Sequence, residues 1–338
     1  ETFKLNQRDS MDFPQALGEY IHAIMEPLWV TVRNYDIDTV ILSGREARIV
    51  GRLMGYEIEK EITEVRKDVI IRFHEEAGSL STSMLRQKYH IEESLASVVS
   101  PTIHIYKEIL DNVPVKNVVM MGMTFVEAAS LFYGAQKTKD PALLYMRAQN
   151  LELTRSIAAF YYYEPDHARA MERYSYHIIR AFDRYNGLNE RDEFLLRMAI
   201  ILYQIGKYVN LLGSSIQAWS MVKGTDIFGI SDKEKDIVAC IVYYDHKGMP
   251  SDDDKPFRIL SDESKMTALK LIAIFRLVRA MDMSRKQKLK DVSARIVKDC
   301  LLIEYESDEN TALETWLFDK EKEFFENIFG MEAKLERR

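Results

Sequence analysis

The residues of this chain with the most chemical content lie at Leu202-Tyr203-Gln204-Ile205-Gly206-Lys207. They follow the apolar run Leu195, Leu196, Met198, Ala199, Ile200, Ile201, and the Gly-Lys pair is expected to close the helix that this run predicts. A turn of this kind is where an adjacent imidazole and carboxylate could grip a divalent cation. Here those two positions hold a neutral phenol and an amide, poor ligands for an ion that prefers carboxylate or imidazole. The frame of a metal-binding turn is present without its ligands.

Two other segments have residue types suited to anions. Ser43-Gly44-Arg45 follows a short β-branched run and would aim backbone N–H groups at a phosphate, with Arg48 nearby and Glu46 opposing. A companion turn at Gly122 is expected to face it across a cleft. Further on, Arg279, Arg285, Lys286, Lys288 and Lys290 form a locally basic stretch opposed by Asp282 before Asp291 is reached; a run of this kind is commonly a solvated face. The aromatic group Phe160-Tyr161-Tyr162-Tyr163 spans every face of a helical turn and is expected in the core or at a domain interface. The seven histidines (22, 74, 90, 104, 167, 177, 246) do not fall at ligand spacings. No Ser-His-Asp or Cys-His arrangement can be assembled, and no carboxylate is singled out as a base.

These residues must be positioned by a predominantly helical chain. The 338 residues allow two domains on the usual prior, and 47% hydrophobic with 29% charged residues is a globular composition. Only 14 Gly and 8 Pro punctuate it, which with 16 Met favours helix over an all-β fold. Cys240 and Cys300 are far apart in apolar surroundings, with no disulfide framework or Cys-x-x-Cys knuckle, so a reducing cytoplasm is expected. No apolar run approaches the ~20 residues needed to span a bilayer, and the N-terminus reads neither as a signal peptide nor as an anchor. The absence of an initiator Met suggests an excised fragment. A net charge of −7 argues against broad binding of polyanions such as DNA while leaving room for a local basic pocket.

Periodicity predicts a helix over 14–35, a buried strand at 39–42, a helix over 46–56, and either strand or helix at 68–73. Helices follow over 79–88 and 91–110, then a strand at 117–121 and a helix from Thr124 to Tyr133. Strand, turn and helix thus occur twice, separated by helices, which predicts an α/β layer. The polar, aperiodic stretch from Gly134 to Asp140 places a domain boundary, giving domains 1–136 and 137–338. The second is helical to about 250, has a long helix at 263–281, and ends in a small α+β tail over about 290–338. That tail is expected to hold strands at 293–297 and 300–305, a helix at 312–329 and a last short strand at 331–335.

Four stretches carry a resemblance: Leu202 to Asn210, Gly224 to Ser231, Tyr243 to Gly248, and Ile274 to Ser284. They resemble, in order, a His-Asp-Ile-Gly turn, a Ser-Asp-Leu-Pro-Gly-Phe-Ser loop, a Tyr-His-Arg-Lys-Gly segment and a Leu-Arg-Leu-Ala-Asp-Ala-Leu-Asp-Arg-Ser helix. These belong to the exopolyphosphatase / guanosine pentaphosphate phosphohydrolase (Ppx/GppA) family. Upstream, Leu42 to Ala47 and Val119 to Glu127 resemble the phosphate-facing loop and the closing strand and helix of that family's second actin-like domain. Ala128 stands in place of the family's usual glycine, and Val126 in place of the preceding arginine. The resemblance covers nearly the whole chain in order. It implies an α+β, mostly helical chain: part of an actin-like (ribonuclease H-like) domain, then a His-Asp-type helical domain.

The resemblance further implies phosphate contacts at Ser43, Gly44, Arg45 and Gly122, and a polyanion channel along Arg279, Arg285, Lys286 and Lys288. It maps the His-Asp metal ligands onto His167, Tyr203, Gln204, Gln217, Asp245 and Arg279, of which only His167 and Asp245 keep a ligand type. No occupied metal site is therefore expected, and His167 is expected to cap a helix or bond a backbone group. His246 lies one residue from an expected ligand and reads as a partly exposed loop histidine. In the family, water attacks the terminal phosphoanhydride of polyphosphate or pppGpp, with a glutamate as base and a divalent metal such as Mg²⁺ neutralising charge. The Asp-x-Gly loop, that glutamate and a Gly-Gly-Gly-Ser segment do not occur here, so the chain is expected to lack activity alone and to act in a homodimer. The competing expectation is a non-catalytic sensor or scaffold binding phosphate-rich ligands or protein partners.

Overall fold

The computed structural model describes residues 13–33, 35–58, 62–138, 140–182, 188–227 and 229–338. The chain is mostly helical with two small mixed sheets, an α+β fold, and divides into two compact units, Glu1–Lys139 and Asp140–Arg338. Among the described residues no helix is long and apolar enough to cross a membrane.

The first unit runs α1 (Phe13–Val32), β1 (Val40–Ser43), α2 (Arg45–Leu53), β2 (Thr63–Arg66), α3 (Lys67–Ala77), α4 (Thr82–Tyr89), α5 (Glu93–Asn112), β3 (Asn117–Met121) and α6 (Phe125–Thr138). Its sheet has the order β1-β3-β2, with β1 parallel and β2 antiparallel to the central β3. Val118 and Met120 of β3 share a buried face with Leu42 of β1 and Val65 of β2. Against that face α5 presents Val99, Ile103 and Leu110, and α3 presents Ile70 and Phe73. The run at 68–73, ambiguous by pattern, is helical. A four-residue strand that pattern did not predict, β2, immediately precedes it; β2 buries only Val65 and so has no apolar signature.

The second unit runs α7 (Ala142–Ala159), α8 (Pro165–Ala181), α9 (Glu190–Leu202), a 3₁₀ turn (Ile205–Tyr208), α10 (Ser214–Gly224), α11 (Asp232–Tyr243), α12 (Lys255–Arg258), α13 (Asp262–Ala280), β4 (Lys290–Val297), β5 (Cys300–Glu306), α14 (Ala312–Phe329) and β6 (Glu332–Arg337). Asn189 and Ser231 start α9 and α11 through capping boxes that satisfy the first free amides, and Ser261 caps α13. From Leu271 to Val278 every residue of α13 is buried, so this helix is the axis on which α8, α9, α11 and α14 pack. A helix apolar all round belongs in the middle of a core. β4 and β6 flank β5, antiparallel and parallel respectively. Leu301 and Ile303 of β5 are buried in the same core as Phe318 and Phe325 of α14.

Gly206 does not end α9 as a left-handed cap. That helix stops at Leu202, the backbone of Tyr203 and Gln204 stays right-handed, and the 3₁₀ turn carries on through Gly206. Its glycine is required by proximity instead: a Cβ there would fall within bonding range of the Ser214 carbonyl oxygen and 2.5 Å from the Ala218 amide nitrogen. The start of α10 can lie on this turn only because no side chain intervenes.

In the first unit, the His74 ring meets the His104 ring edge-on at 4.7 Å, and His74 Nε2 is buried without a hydrogen-bond partner. Burial first, then the charges of His104 and Lys107 against the opposing Asp111, lower the His74 pKa from 6.5 to about 4. The folded form thus takes up this proton less readily than the unfolded chain, so its contribution to stability is complete above about pH 6.5 and is lost as pH falls towards 4. Urea unfolding of the whole chain across that window should show a decline on the order of 1 kcal/mol, allowing for screening of a half-buried ring. His74→Gln should flatten it.

Candidate functional site

The turns at 43–45 and 122–124 lie side by side at the ends of the parallel strands β1 and β3, where Ser43 pairs in register with Met121. Gly44 is genuinely constrained, with φ +104°. Its amide donates to the Met121 carbonyl at 3.2 Å and is therefore occupied. Arg48 reaches across to donate to the Gly122 carbonyl and, at 3.3 Å, to Glu127. Glu127 in turn accepts from the Thr124 amide at 2.7 Å, a capping box written in the sequence as Thr124-x-x-Glu127 that the sequence reading passed over. Ser43 and Arg45 are exposed, whereas Gly122 is buried. These residues are brought together, with internal bonds taking up the Gly44 amide and the Gly122 carbonyl.

In the second unit, His167 in the first turn of α8 is 2% exposed and is held from both ring nitrogens. Nδ1 lies 2.7 Å from Asp282 Oδ2, and Nε2 lies 2.6 Å from the Tyr203 hydroxyl. Asp282 is fully buried and also accepts from the Gln287 amide at 2.8 Å and the Gln287 side chain at 3.1 Å. Already accepting from both Gln287 groups, Asp282 serves as an acceptor here, which assigns the His167 proton to Nδ1 and leaves Nε2 to accept from the Tyr203 O–H. Gln204 Nε2 donates to the same phenol oxygen at 3.0 Å. Burial pushes the Tyr203 phenol well above its ordinary pKa, so it stays a proton donor. His167 therefore bonds two side chains, one of them 115 residues away in sequence, where a helix cap or a bond to a backbone group was expected.

Above this floor lies a cavity of about 140 Å³, lined by His167, Tyr203, Ser214, Asp245 and His246 together with Lys207, Arg279, Arg285 and Met283. Gln204 Oε1 accepts from both Lys207 and Arg285 at 3.0 Å. Arg285 is also paired with Glu164 just before α8, and Arg279 with Glu321 of α14 at 3.4 Å. Burial, with Arg279 adding to it against Asp245, lowers the Lys207 pKa. Asp245 is buried in the turn after α11, which Arg276 fixes by donating to the carbonyls of Tyr244 at 3.0 Å, Gly248 at 2.8 Å and Lys247. Asp245 Oδ1 and Arg279 Nε are both buried without a hydrogen-bond partner. His246 Nδ1 stands close to Asp245 Oδ1 without the alignment of a hydrogen bond, and its side chain is about half exposed.

Of the six positions mapped as metal ligands, His167, Tyr203, Asp245 and Arg279 line this cavity, Gln204 braces it from behind, and Gln217 is not among its lining residues. The donor set does not suit a divalent cation. His167 Nε2 is engaged by a phenol, and the remaining carboxylate faces three cationic side chains. The basic stretch is largely paired. Arg279, Arg285, Lys288 and Lys290 each meet a carboxylate, from Glu321, Glu164, Glu314 and Asp308, and among the described residues Lys286 is exposed without one. Of the aromatic group, Tyr163 packs partly buried against the core, whereas Phe160, Tyr161 and Tyr162, which follow the end of α7 at Ala159, are exposed. Tyr161 packs edge-on to Tyr208, and Lys207 lies over Tyr162. Asp282 and Lys207, both central here, were not selected from sequence. Asp282 was legible as the only aspartate of the Ile274-to-Ser284 segment.

Tyr203→Phe would leave His167 Nε2 and the Gln204 amide unpaired in a buried place. The expected loss is about 1–3 kcal/mol, read by denaturant unfolding. A neutral result would mean that the phenol is not the partner that closes this floor.

The family model described as Ppx/GppA phosphatase, domain III, matches residues 153–323, from the end of α7 into α14, and so includes every residue lining the cavity. No curated protein matches the chain. A family match over half of the chain, in the order of the four stretches read from sequence, means that this chain belongs to the Ppx/GppA phosphatase family.

Proposed function

We propose that the chain serves a phosphohydrolase that removes the terminal phosphate of polyphosphate or guanosine pentaphosphate, as a binding and supporting region and not as the catalytic centre. The family match supports the substrate class. The observation that carries the non-catalytic role is the exchange of metal ligands for a phenol, an amide and an arginine at Tyr203, Gln204 and Arg279, around a histidine already bonded at both nitrogens. The divalent metal that neutralises phosphoryl charge, Mg²⁺ on this reading, would be held elsewhere in the parent enzyme. Arg279, Arg285 and the exposed Lys286 would contribute positive charge along the path of the polyanion. The turns at Ser43-Gly44-Arg45 and Gly122 would contribute phosphate contacts, in a cytoplasmic homodimer whose first unit is actin-like and whose second is of the His-Asp type.

A sensor or scaffold of the same family is the second reading. The internal bonding of the Gly44 amide and the Gly122 carbonyl favours it, since groups already paired have less to offer a phosphate. Phosphate release from polyphosphate and pppGpp with Mg²⁺, with elemental analysis of the same sample, tests the proposal. No turnover and no stoichiometric metal is the expected result. Turnover with stoichiometric metal would contradict it, and His167, Asp245 and His246 would then be the residues to substitute first.

A further inference from the structure

The cavity above His167 and Tyr203 has a polar inventory that selects among ligands. Its cationic donors are Lys207, Arg279 and Arg285 and its carboxylate is Asp245, with His246, Ser214, His167 and Tyr203 completing the polar lining. Two of these groups have buried atoms without a hydrogen bond in the protein, Arg279 Nε and Asp245 Oδ1, the latter with His246 Nδ1 close by but not aligned to donate. Orphaned buried polar atoms cost free energy unless something else bonds them. The ligand that satisfies both must present oxygen acceptors to the cations and an O–H to the carboxylate. At about 140 Å³ the space is far below the roughly 300 Å³ of ordinary cofactor pockets, so that ligand is a small ion.

Orthophosphate meets each condition. Through neutral pH it is an anion that keeps at least one O–H. Sulfate has the same shape and charge class but no proton, so one of its oxygens would lie against the Asp245 carboxylate, a repulsive contact between two acceptors. A free carboxylate ligand lacks the proton for the same reason, and a metal cation is opposed by the three cationic side chains.

We propose that this cavity is an orthophosphate site, in which Lys207, Arg279 and Arg285 bind phosphate oxygens and Asp245 accepts the phosphate proton. The site gives a phosphate-releasing enzyme a place to hold or sense its inorganic product, and that use of it rests on the function proposed above. Arg276, through its bonds to the Tyr244, Lys247 and Gly248 carbonyls, is a positioning residue for Asp245.

Calorimetric titration of the whole chain with inorganic phosphate and, separately, with sulfate at matched ionic strength tests the assignment. Phosphate should bind, with sulfate weaker by roughly tenfold or more, the worth of one hydrogen bond to a charged group. Asp245→Asn, whose amide can donate, should bring the two affinities together, and Lys207→Gln should weaken phosphate by about tenfold. Circular dichroism and the melting transition of each variant establish that it is folded. Absence of phosphate binding by the unsubstituted chain would overturn the proposal. So would equal binding of phosphate and sulfate, or indifference of folded Lys207→Gln. Because phosphate is titrated without substrate, the result is independent of whether the chain turns over polyphosphate.

Discussion

The second unit is organised by a chain of buried hydrogen bonds, Asp282 to His167 to Tyr203 to Gln204, running from the end of α13 to α8 and then to the end of α9. Every member is at most 4% exposed, so each polar atom must find its partner inside the protein. Asp282 also shapes the loop after α13. Arg285 and Gln287 adopt left-handed φ of +59° and +48°, conformations that cost such residues about 1–2 kcal/mol each. The bonds from the Arg285 amide to the Asp282 carbonyl, and from Gln287 to the Asp282 carboxylate, hold that loop in place. One carboxylate thereby fixes the histidine tautomer and presents Arg285 to the cavity.

With the floor closed by mutually satisfied groups, the rim changes sign relative to a metal centre. Cations line the cavity where carboxylates would be needed, and most are steadied by acids from other elements: Glu164 before α8 and Glu321 on α14. Such pairs leave local charge nearly balanced while keeping guanidinium groups in fixed orientations, which suits recognition of anionic oxygens. In the first unit the turns at Gly44 and Gly122 are tied to each other by Arg48 in a comparable way.

Much of the helical fold was legible because long apolar runs are strong signals. The run at 195–201 is buried except for Arg197, and that at 271–278 is buried throughout. The edge strand β2 was not, since Glu64 and Arg66 flank a single buried valine. At the candidate site, the loss of metal-ligand types at Tyr203 and Gln204 could be read directly from residue identity. What the two residues do instead could not, because it depends on Asp282, which lies far from them in sequence. The same limit hid the neutralisation of the basic stretch, since its acidic partners come from three separate segments. Gly206 was legible as constrained, but the constraint is the closeness of α10, not the handedness of a cap.

The central claim is that His167 is a buried imidazole that donates from Nδ1 to Asp282 and is closed at Nε2 by a phenol. Nitrogen-15 NMR of the His167 ring, recorded before and after addition of Mg²⁺, Mn²⁺ or Zn²⁺, tests it most directly. A protonated Nδ1 and an unprotonated Nε2, with neither signal moved by metal, is the predicted result. Nε2 protonation, or a metal-dependent shift or broadening confined to Nε2, would mean that this histidine is still a ligand and that the account of the cavity is wrong.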